Sequence, residues 1–217
     1  MIKKEVSHMR IAIINEESTC KRNPDIIAAL DNRGLTLYNV GMTGVAGEQP
    51  LSYINTSFMT ALLLDMELVD LVVGGCGTGQ GYAISTNMYP GVYCGLIYDP
   101  LEAWLFMQIN AGNAISLALN KGFGWAGSEN LRFIFDSLFS APAGRGYPPY
   151  RSEPQKAFRE KLEKVSVATH QDDLSSIMKR LEPEIFRQCA NNAAFLALVK
   201  SANPKDGAGA LFLQMVQ

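Results

Sequence analysis

Residues 74–81 read Gly-Gly-Cys-Gly-Thr-Gly-Gln-Gly, directly after the apolar run Leu71-Val72-Val73 and ahead of a stretch of helical character. Glycines at this density let the backbone turn tightly and approach a ligand closely. Successive N–H groups at the start of a helix then form a cradle for an anion or a developing oxyanion. Cys76 sits inside that cradle, a setting that favours the thiolate form of a cysteine. Such a group can remove a proton from a carbon next to a carbonyl. The enediolate that results needs donors at its oxygen, and the amides of Gly77, Gly79 and Gly81 are candidates, with the Thr78 hydroxyl beside them. This chemistry needs no metal. Three other readings of the loop exist. The two-residue spacing of Gly75, Gly77, Gly79 and Gly81 does not give the dinucleotide fingerprint, which also belongs after a first strand and not a third. A phosphate-binding P-loop requires Gly-Lys-Ser/Thr, which is absent. A plain tight turn with Cys76 as a small buried hydrophobe stays open at this point.

Composition narrows the field. With 47% hydrophobic and 18% charged residues over 217 positions, the chain has the apolar content of a globular core and not of a disordered segment. Nineteen basic against twenty-one acidic residues give a net charge of -2, which argues against a nucleic-acid partner. The two histidines, His8 and His170, and the four scattered cysteines form no CxxC, HxH or HExxH pattern, so neither a zinc or iron site nor a disulfide framework is expected. The charged start MIKKEVSHMR has no signal-peptide core behind it, and the apolar runs are too short to span a bilayer. The expectation is a soluble, reduced, cytoplasmic protein without a membrane partner.

The elements that must position the loop alternate. Strand-like runs cover 10–14, 35–40, 71–73, 92–97 and 114–119. Helical stretches cover 24–32, 51–68, 80–88, 100–108 and 130–139. Near-continuous apolar strands alternating with helices imply a parallel sheet covered on both faces, a Rossmann-like three-layer α/β/α sandwich with five strands. Residues 140–154, rich in Pro, Gly and Tyr, read as a linker or ordered loop, and 155–200 as charged helix broken at Pro183. The division expected is an α/β domain over 1–152. A helical C-terminal extension over 153–217 would then pack on the core or on a partner subunit.

The segment from Gly74 to Leu117 resembles the ribose-5-phosphate isomerase B family, which includes the galactose-6-phosphate isomerase subunits. The matching features are Cys76 to Gly81, Asn87, Pro90-Gly91, Asp99 and the run Asn110-Ala-Gly-Asn113, in the family's order. The resemblance covers roughly residues 10 to 151. It implies a sugar-phosphate aldose–ketose isomerase working through a cis-enediolate, without metal or organic cofactor. It also implies a homodimer, sometimes paired into a tetramer, with active sites at the subunit interface. On this pattern Cys76 is the enolisation base, Thr78 and the glycine amides bind the enediolate, and Asn110 contacts sugar hydroxyls. The family's remaining substrate-binding positions fall on Glu16, Glu17, Arg145 and Arg151.

Departures from the pattern bear on substrate. The family's Asp-His pair after the first strand is Glu16-Glu17 here, and its histidine ahead of Asn110 is Ile109, which cannot transfer a proton. Its phosphate segment becomes Ala143-Gly144-Arg145-Gly146, and Arg151 lies six residues after Arg145, farther than in the family. A carboxylate at 17 disfavours a nearby phosphate unless a cation intervenes. These changes point to a different phosphorylated sugar or a non-phosphorylated one. They also support an alternative, a sugar- or anion-binding protein that has lost catalysis. Plainer readings stand beside each residue. Glu16 and Glu17 could be loop or helix-start carboxylates, Asp99 an N-cap, Asn87 a left-handed helix end, and Asn110 and Asn113 turn residues. Arg145 and Arg151 could be exposed loop cations. Cys94 reads as core, Cys20 and Cys189 as structural, His170 as surface, and Trp104 and Trp125 as packing residues.

Overall fold

The protein is seen here as a computed structural model that describes residues 9–217. His8 and most of the charged N-terminal run lie outside the described residues. Five strands form one parallel sheet: β1 (Arg10–Asn15), β2 (Thr36–Asn39), β3 (Leu71–Cys76), β4 (Cys94–Ile97) and β5 (Ala114–Ala118), in the order β2-β1-β3-β5-β4. Between them run α1 (Asn23–Leu30), α2 (Tyr53–Asp65), α3 (Gln80–Thr86) and α4 (Pro100–Leu105), and α5 (Gly127–Leu138) follows β5. The C-terminal part adds α6 (Ser152–Thr169), α7 (Leu174–Met178), α8 (Pro183–Ala190), α9 (Ala193–Ser201) and α10 (Gly207–Met215).

Strand side chains alternate between two apolar clusters, which is why the strands read as unbroken apolar runs. Ile11, Ile13, Leu71, Val73, Ile115 and Leu117 face α1, α4 and α5, meeting Ile26, Leu30, Ala103, Leu131 and Phe135. Ala12, Ile14, Val72 and Ala114 face the other way, toward α2. On that side Phe58 and Leu62 of α2 share one cluster with Phe186, Phe195 and Phe212 of α8, α9 and α10. The Phe58 ring lies 4.8 Å from Phe186 and 6.0 Å from Phe212. Full burial of each such ring stabilises by roughly 1.5–3 kcal/mol, so α7–α10 are built into the core and do not merely decorate it.

The expected strands and helices are present, with ends that local chemistry moves. Ser52 and Asn55 form a reciprocal capping box that starts α2 two residues later than its apolar pattern. Glu67, at φ +52, stops it. Beyond α4 the chain widens into a π-helical turn, Phe106–Asn110, closed by Ala111 in the left-handed region. The Phe106 ring lies over Gly95 and Gly112, where any side chain would collide with it. Two features were not expected from the sequence: a 3-10 turn over Glu17–Arg22, and the π-helical turn itself.

The glycine-rich strand β3 is held by α3. Tyr82 is fully buried, its ring fills the space a side chain at Gly74 would need, and its hydroxyl meets Thr60 Oγ1 at 2.5 Å. Burial pushes this phenol well above its ordinary pKa, so it stays neutral. The hydroxyls of Ser57 and Thr86, 3.0 Å apart, make a second tie between α2 and α3.

Candidate active site

In an open parallel sheet, ligands bind beyond the carboxyl ends of strands where the winding reverses. Here β2 lies on one side of β1 and β3 on the other, which places that crevice between the ends of β1 and β3. Asn15 pairs with Gly75 across this junction. Glu16 follows one strand and Cys76 closes the other.

The loop after β1 is set by an amide network. Buried Asn15 donates to the carbonyls of Thr19 and Met42 and accepts from Asn23, which exchanges hydrogen bonds with Asn39. Glu16 is only 7% exposed and caps the 3-10 turn, accepting from the Ser18 amide at 2.9 Å and the Ser18 hydroxyl at 2.5 Å. Glu17 is exposed, and its amide donates to Leu51 O at 3.0 Å.

Cys76 is buried at the end of β3, paired with Ala118. Its carbonyl accepts from the Gly79 amide at 3.2 Å and the Leu119 amide at 3.1 Å. Of the three candidate glycine donors, Gly79 therefore uses its N–H inside the turn. Gly79 is left-handed at φ +76, and a Cβ there would lie 2.6 Å from Leu96 Cδ1. Buried Ser116 of β5 pins the same residue by donating to its carbonyl at 2.5 Å. Thr78 is exposed, and its hydroxyl oxygen accepts from the Gln80 amide at 3.3 Å. Gly81, in the first turn of α3, lies against the Tyr53 ring.

Four rim residues escaped the sequence reading. The Ser18 carbonyl accepts from Asn120 Nδ2 at 2.9 Å. The Gly77 carbonyl accepts from the amides of Asn120 and Lys121 at 3.0 and 2.8 Å. The Tyr98 hydroxyl donates to Thr78 O at 3.4 Å, and the Lys121 ammonium sits 4.5 Å from the Tyr98 ring centre. The loops after β1, β3, β4 and β5 are thus tied around Cys76. Lys121 brings a cation to the side where Glu16 and Glu17 bring negative charge. The available signal was positional: Tyr98 follows the last residue of β4 and Asn120 comes just past the end of β5.

Asn110, Arg145 and Arg151 are not brought to Cys76 within the chain. Asn110 ends the π-helical turn, ahead of Ala114, and Ala114 pairs with Val72 at the amino end of the sheet. Val72 and Cys76 are four residue steps apart along the strand, a run of about 13 Å. The loop carrying Arg145 is fixed to the same turn. Gly144 N donates to Met107 O and Gly146 N to Gln108 O, both at 2.9 Å. Arg159 of α6 donates to Ile109 O and Gly144 O at 2.8 and 2.9 Å. Gln108 Nε2 is buried there with no hydrogen-bond partner in the described structure. Asn110 is exposed and lines a cavity of about 300 Å³ with Asn87, Tyr93, Leu162, Val165 and His170. Arg145 and Arg151 are exposed. One chain therefore presents two groups, at opposite ends of its sheet.

The remaining single residues sort plainly. Asp99 caps α4, accepting from Glu102 N at 2.9 Å. Asn87 ends α3 at φ -72 rather than left-handed, because its side chain is spent clamping Cys94 N and Cys94 O. Asn113 bridges Tyr93 N and Gly91 O. Trp104 packs on Tyr147, whereas Trp125 is 98% exposed and packs on little. Cys189 is buried and donates to Asn55 O, while Cys94, expected as core, is only half-buried at the start of a short outer strand. Among the described residues, no group of three His, Cys, Asp or Glu is placed to hold a metal ion, and no helix is long and apolar enough to cross a membrane.

Comparison with known proteins adds an independent finding. A family model described as Ribose/Galactose Isomerase matches residues 11–140. A solved structure described as a 4-deoxy-L-threo-5-hexosulose-uronate ketol-isomerase complexed with a tartrate is 35% identical. It covers 96% of this chain and 99% of its own, with a TM-score of 0.89. A structure described as ribose-5-phosphate isomerase from Vibrio parahaemolyticus is 36% identical, covers 97% and 100%, and has a TM-score of 0.89. A type B ribose 5-phosphate isomerase from Trypanosoma cruzi, 19% identical with a TM-score of 0.61, shares the fold over 73% of this chain and 99% of its own. No curated protein matches the chain.

Proposed function

Because this chain belongs to the ribose/galactose isomerase family, we propose that it interconverts an aldose and a ketose with Cys76 as the carbon base. The Cys76 sulfur takes the proton from the carbon beside the carbonyl, a cis-enediolate forms, and the proton returns to the neighbouring carbon. Thr78 and the amides of Gly77 and Gly81 stabilise the enediolate oxygens, and buried Glu16 holds a sugar hydroxyl. The scheme calls for no cofactor. The observation that carries it is the placement of Cys76: it ends β3 on a glycine turn at the sheet's winding reversal, beside the Glu16 loop.

The substrate in this reading is a five- or six-carbon sugar with one anionic end group. That group is a phosphate or a carboxylate, as in the substrates named for the two full-length neighbours. Asn110, Arg145 and Arg151 recognise it from a second copy of the chain, so the enzyme is a homodimer or a pair of homodimers. Support comes from the split of the candidate residues between the two ends of the sheet, which leaves each chain with half a site at either end.

The test is proton exchange in D2O, followed by NMR. The panel is ribose 5-phosphate, galactose 6-phosphate, 4-deoxy-L-threo-5-hexosulose uronate and the free sugars. Turnover of one class by the native protein, with exchange abolished in Cys76→Ala and Cys76→Ser, is the expected result. Full activity in both variants, or binding without turnover across the panel, overturns the reading.

A further inference from the structure

The isomerase reaction moves protons on oxygen as well as on carbon, and Cys76 accounts only for the carbon. We infer that His170, at the end of α6, is a second acid–base group that contacts the sugar in the site shared between two copies. This rests on the reading of the chain as an isomerase with a composite site.

His170 was read from the sequence as a surface residue, yet it is half-buried and is the single histidine among the described residues. Its ring lines the same cavity of about 300 Å³ as Asn110, and it borders a second cavity of about 540 Å³ on the other side of α6. Ile109, next to Asn110, has no proton to give. Nδ1 lies 2.9 Å from the Ser166 carbonyl, which can only accept. That contact assigns the Nδ1–H tautomer and leaves Nε2 as the nitrogen that can exchange a proton. The helix carrying it is indexed against the core by polar ties at two places. Arg159 donates to Ile109 O and Gly144 O, and the Ser166 hydroxyl accepts from Gly91 N at 3.3 Å. These are the contacts expected of an element that must hold one residue in register while burying no side chain of its own.

The proton bookkeeping closes. The Cys76 sulfur takes the C–H proton, leaving the cis-enediolate, and protonated His170 then gives its Nε2 proton to the enediolate oxygen. The C–H electron pair becomes the C=C bond and the carbonyl π pair becomes the O–H bond. His170 then removes the proton from the neighbouring hydroxyl while Cys76 returns its proton to the other carbon. Both groups end as they began. The ionisable groups around His170 are Glu163 on its own helix, Asp172 and Asp173 just after it, Asp65 at the end of α2, and Tyr93 and Cys94 at the start of β4. Burial and the charge of Asp173 raise the Asp65 carboxyl above its ordinary value.

The experiment uses His170→Asn and His170→Gln in the full chain, each with its melting temperature, kcat, KM and pH profile. Loss of an acid–base group is expected to lower kcat by about 10²–10⁴-fold with melting unchanged, and to remove one limb of the pH profile. A subunit carrying Cys76→Ser is then co-expressed with one carrying His170→Asn. If the two residues meet across subunits, half of the randomly formed dimers regain one intact site of two. The mixture should then recover about a quarter of native activity from two nearly inactive parents. Native kcat and pH profile in both His170 variants overturn the inference while leaving the isomerase reading intact. A mixture no more active than its parents overturns the cross-subunit placement of His170. A native protein inactive on every sugar fells the isomerase reading, and this inference with it.

Discussion

Gly79→Ala should damage both stability and catalysis, and Gly77→Ala, two residues away in the same loop, should damage catalysis alone. Gly79 sits at φ +76, where a residue with a Cβ costs roughly 1–2 kcal/mol. Its new methyl would also fall 2.6 Å from Leu96 Cδ1 and 3.1 Å from the Leu117 carbonyl carbon. Leu96 can swing, but the Leu117 backbone belongs to the central sheet and cannot, so overpacking adds about 1–3 kcal/mol. The sum, about 2–5 kcal/mol, corresponds to a melting drop of roughly 4–20 °C for a chain of this size. Gly77 is outside the left-handed region, and its methyl would meet Ser18 Oγ and Asn120 Nδ2 at 3.5 Å, an ordinary contact. Its stability should stay within about 0.5 kcal/mol of native. Its activity should still fall, because the methyl points into the rim beside Cys76. Urea denaturation and kcat on the two variants decide the matter. A Gly79→Ala protein within about 1 kcal/mol of native, or two variants of equal stability, would refute the account of the turn.

Three further outcomes follow from the geometry. Phe212→Ala removes a fully buried ring that touches Phe58 and Phe195 across three helices, so calorimetry should show about 3–5 kcal/mol lost; a loss under about 1 kcal/mol would mean that α10 is peripheral. Glu16→Gln keeps the cap on Ser18 but removes the buried charge, and kcat should drop more than about tenfold with melting little changed; native kcat would remove Glu16 from the site. Glu48 opposes its own burial with hydrogen bonds from Thr43, Gly44 and Val45, and the net effect holds its carboxyl below the ordinary value of 4.5. Its contribution is therefore complete above that value and is lost as pH falls through the lower folded one. Amide exchange at Thr43 and Gly44 should quicken over that interval, and protection unaltered in Glu48→Gln at neutral pH would contradict it.

The sheet was legible because its strands are buried on both faces, so unbroken apolar runs such as Arg10–Ile14 and Ala114–Leu119 could mean little else. The position of Cys76, at a strand end on a glycine turn, was legible because glycines at two-residue spacing directly after such a run mark the turn that follows it. What escaped was information carried by neighbours in space. Ser18, Tyr98, Asn120 and Lys121 are ordinary polar residues in sequence and become a rim only when four strand ends are drawn together. The π-helical turn at Phe106–Asn110 could not be read from a pattern that continues the α4 periodicity, since Phe106 packing over Gly95 and Gly112 decides it. Asn110 and Arg145 were read into one site with Glu16 and Cys76, and nothing in one dimension reveals that they sit at the far end of the sheet from Cys76.

The C-terminal helices divide into two kinds of structure, and the division bears on how the site is completed. Helices α7–α10 bury Phe186, Phe195 and Phe212 against α2 and need no partner. Helix α6 buries nothing, yet it carries Phe158, Leu162 and Val165 at one-face spacing, 45–55% exposed in the single chain. A helix in a folded protein draws most of its stability from packing an apolar face, and on α6 the single chain leaves that face uncovered. Leu162 and Val165 also line the cavity that holds Asn110 and His170. A second copy seated there would cover the stripe, order the helix that carries His170, and bring its own Cys76 to the other half of the site in one association. Dimerisation and catalysis are then the same event. On dilution, activity per chain should fall in step with the dimer fraction measured by light scattering, and Leu162→Asp should shift both curves together to higher protein concentration. A dilute monomer with full activity would separate the two and leave α6 without a reason to be where it is.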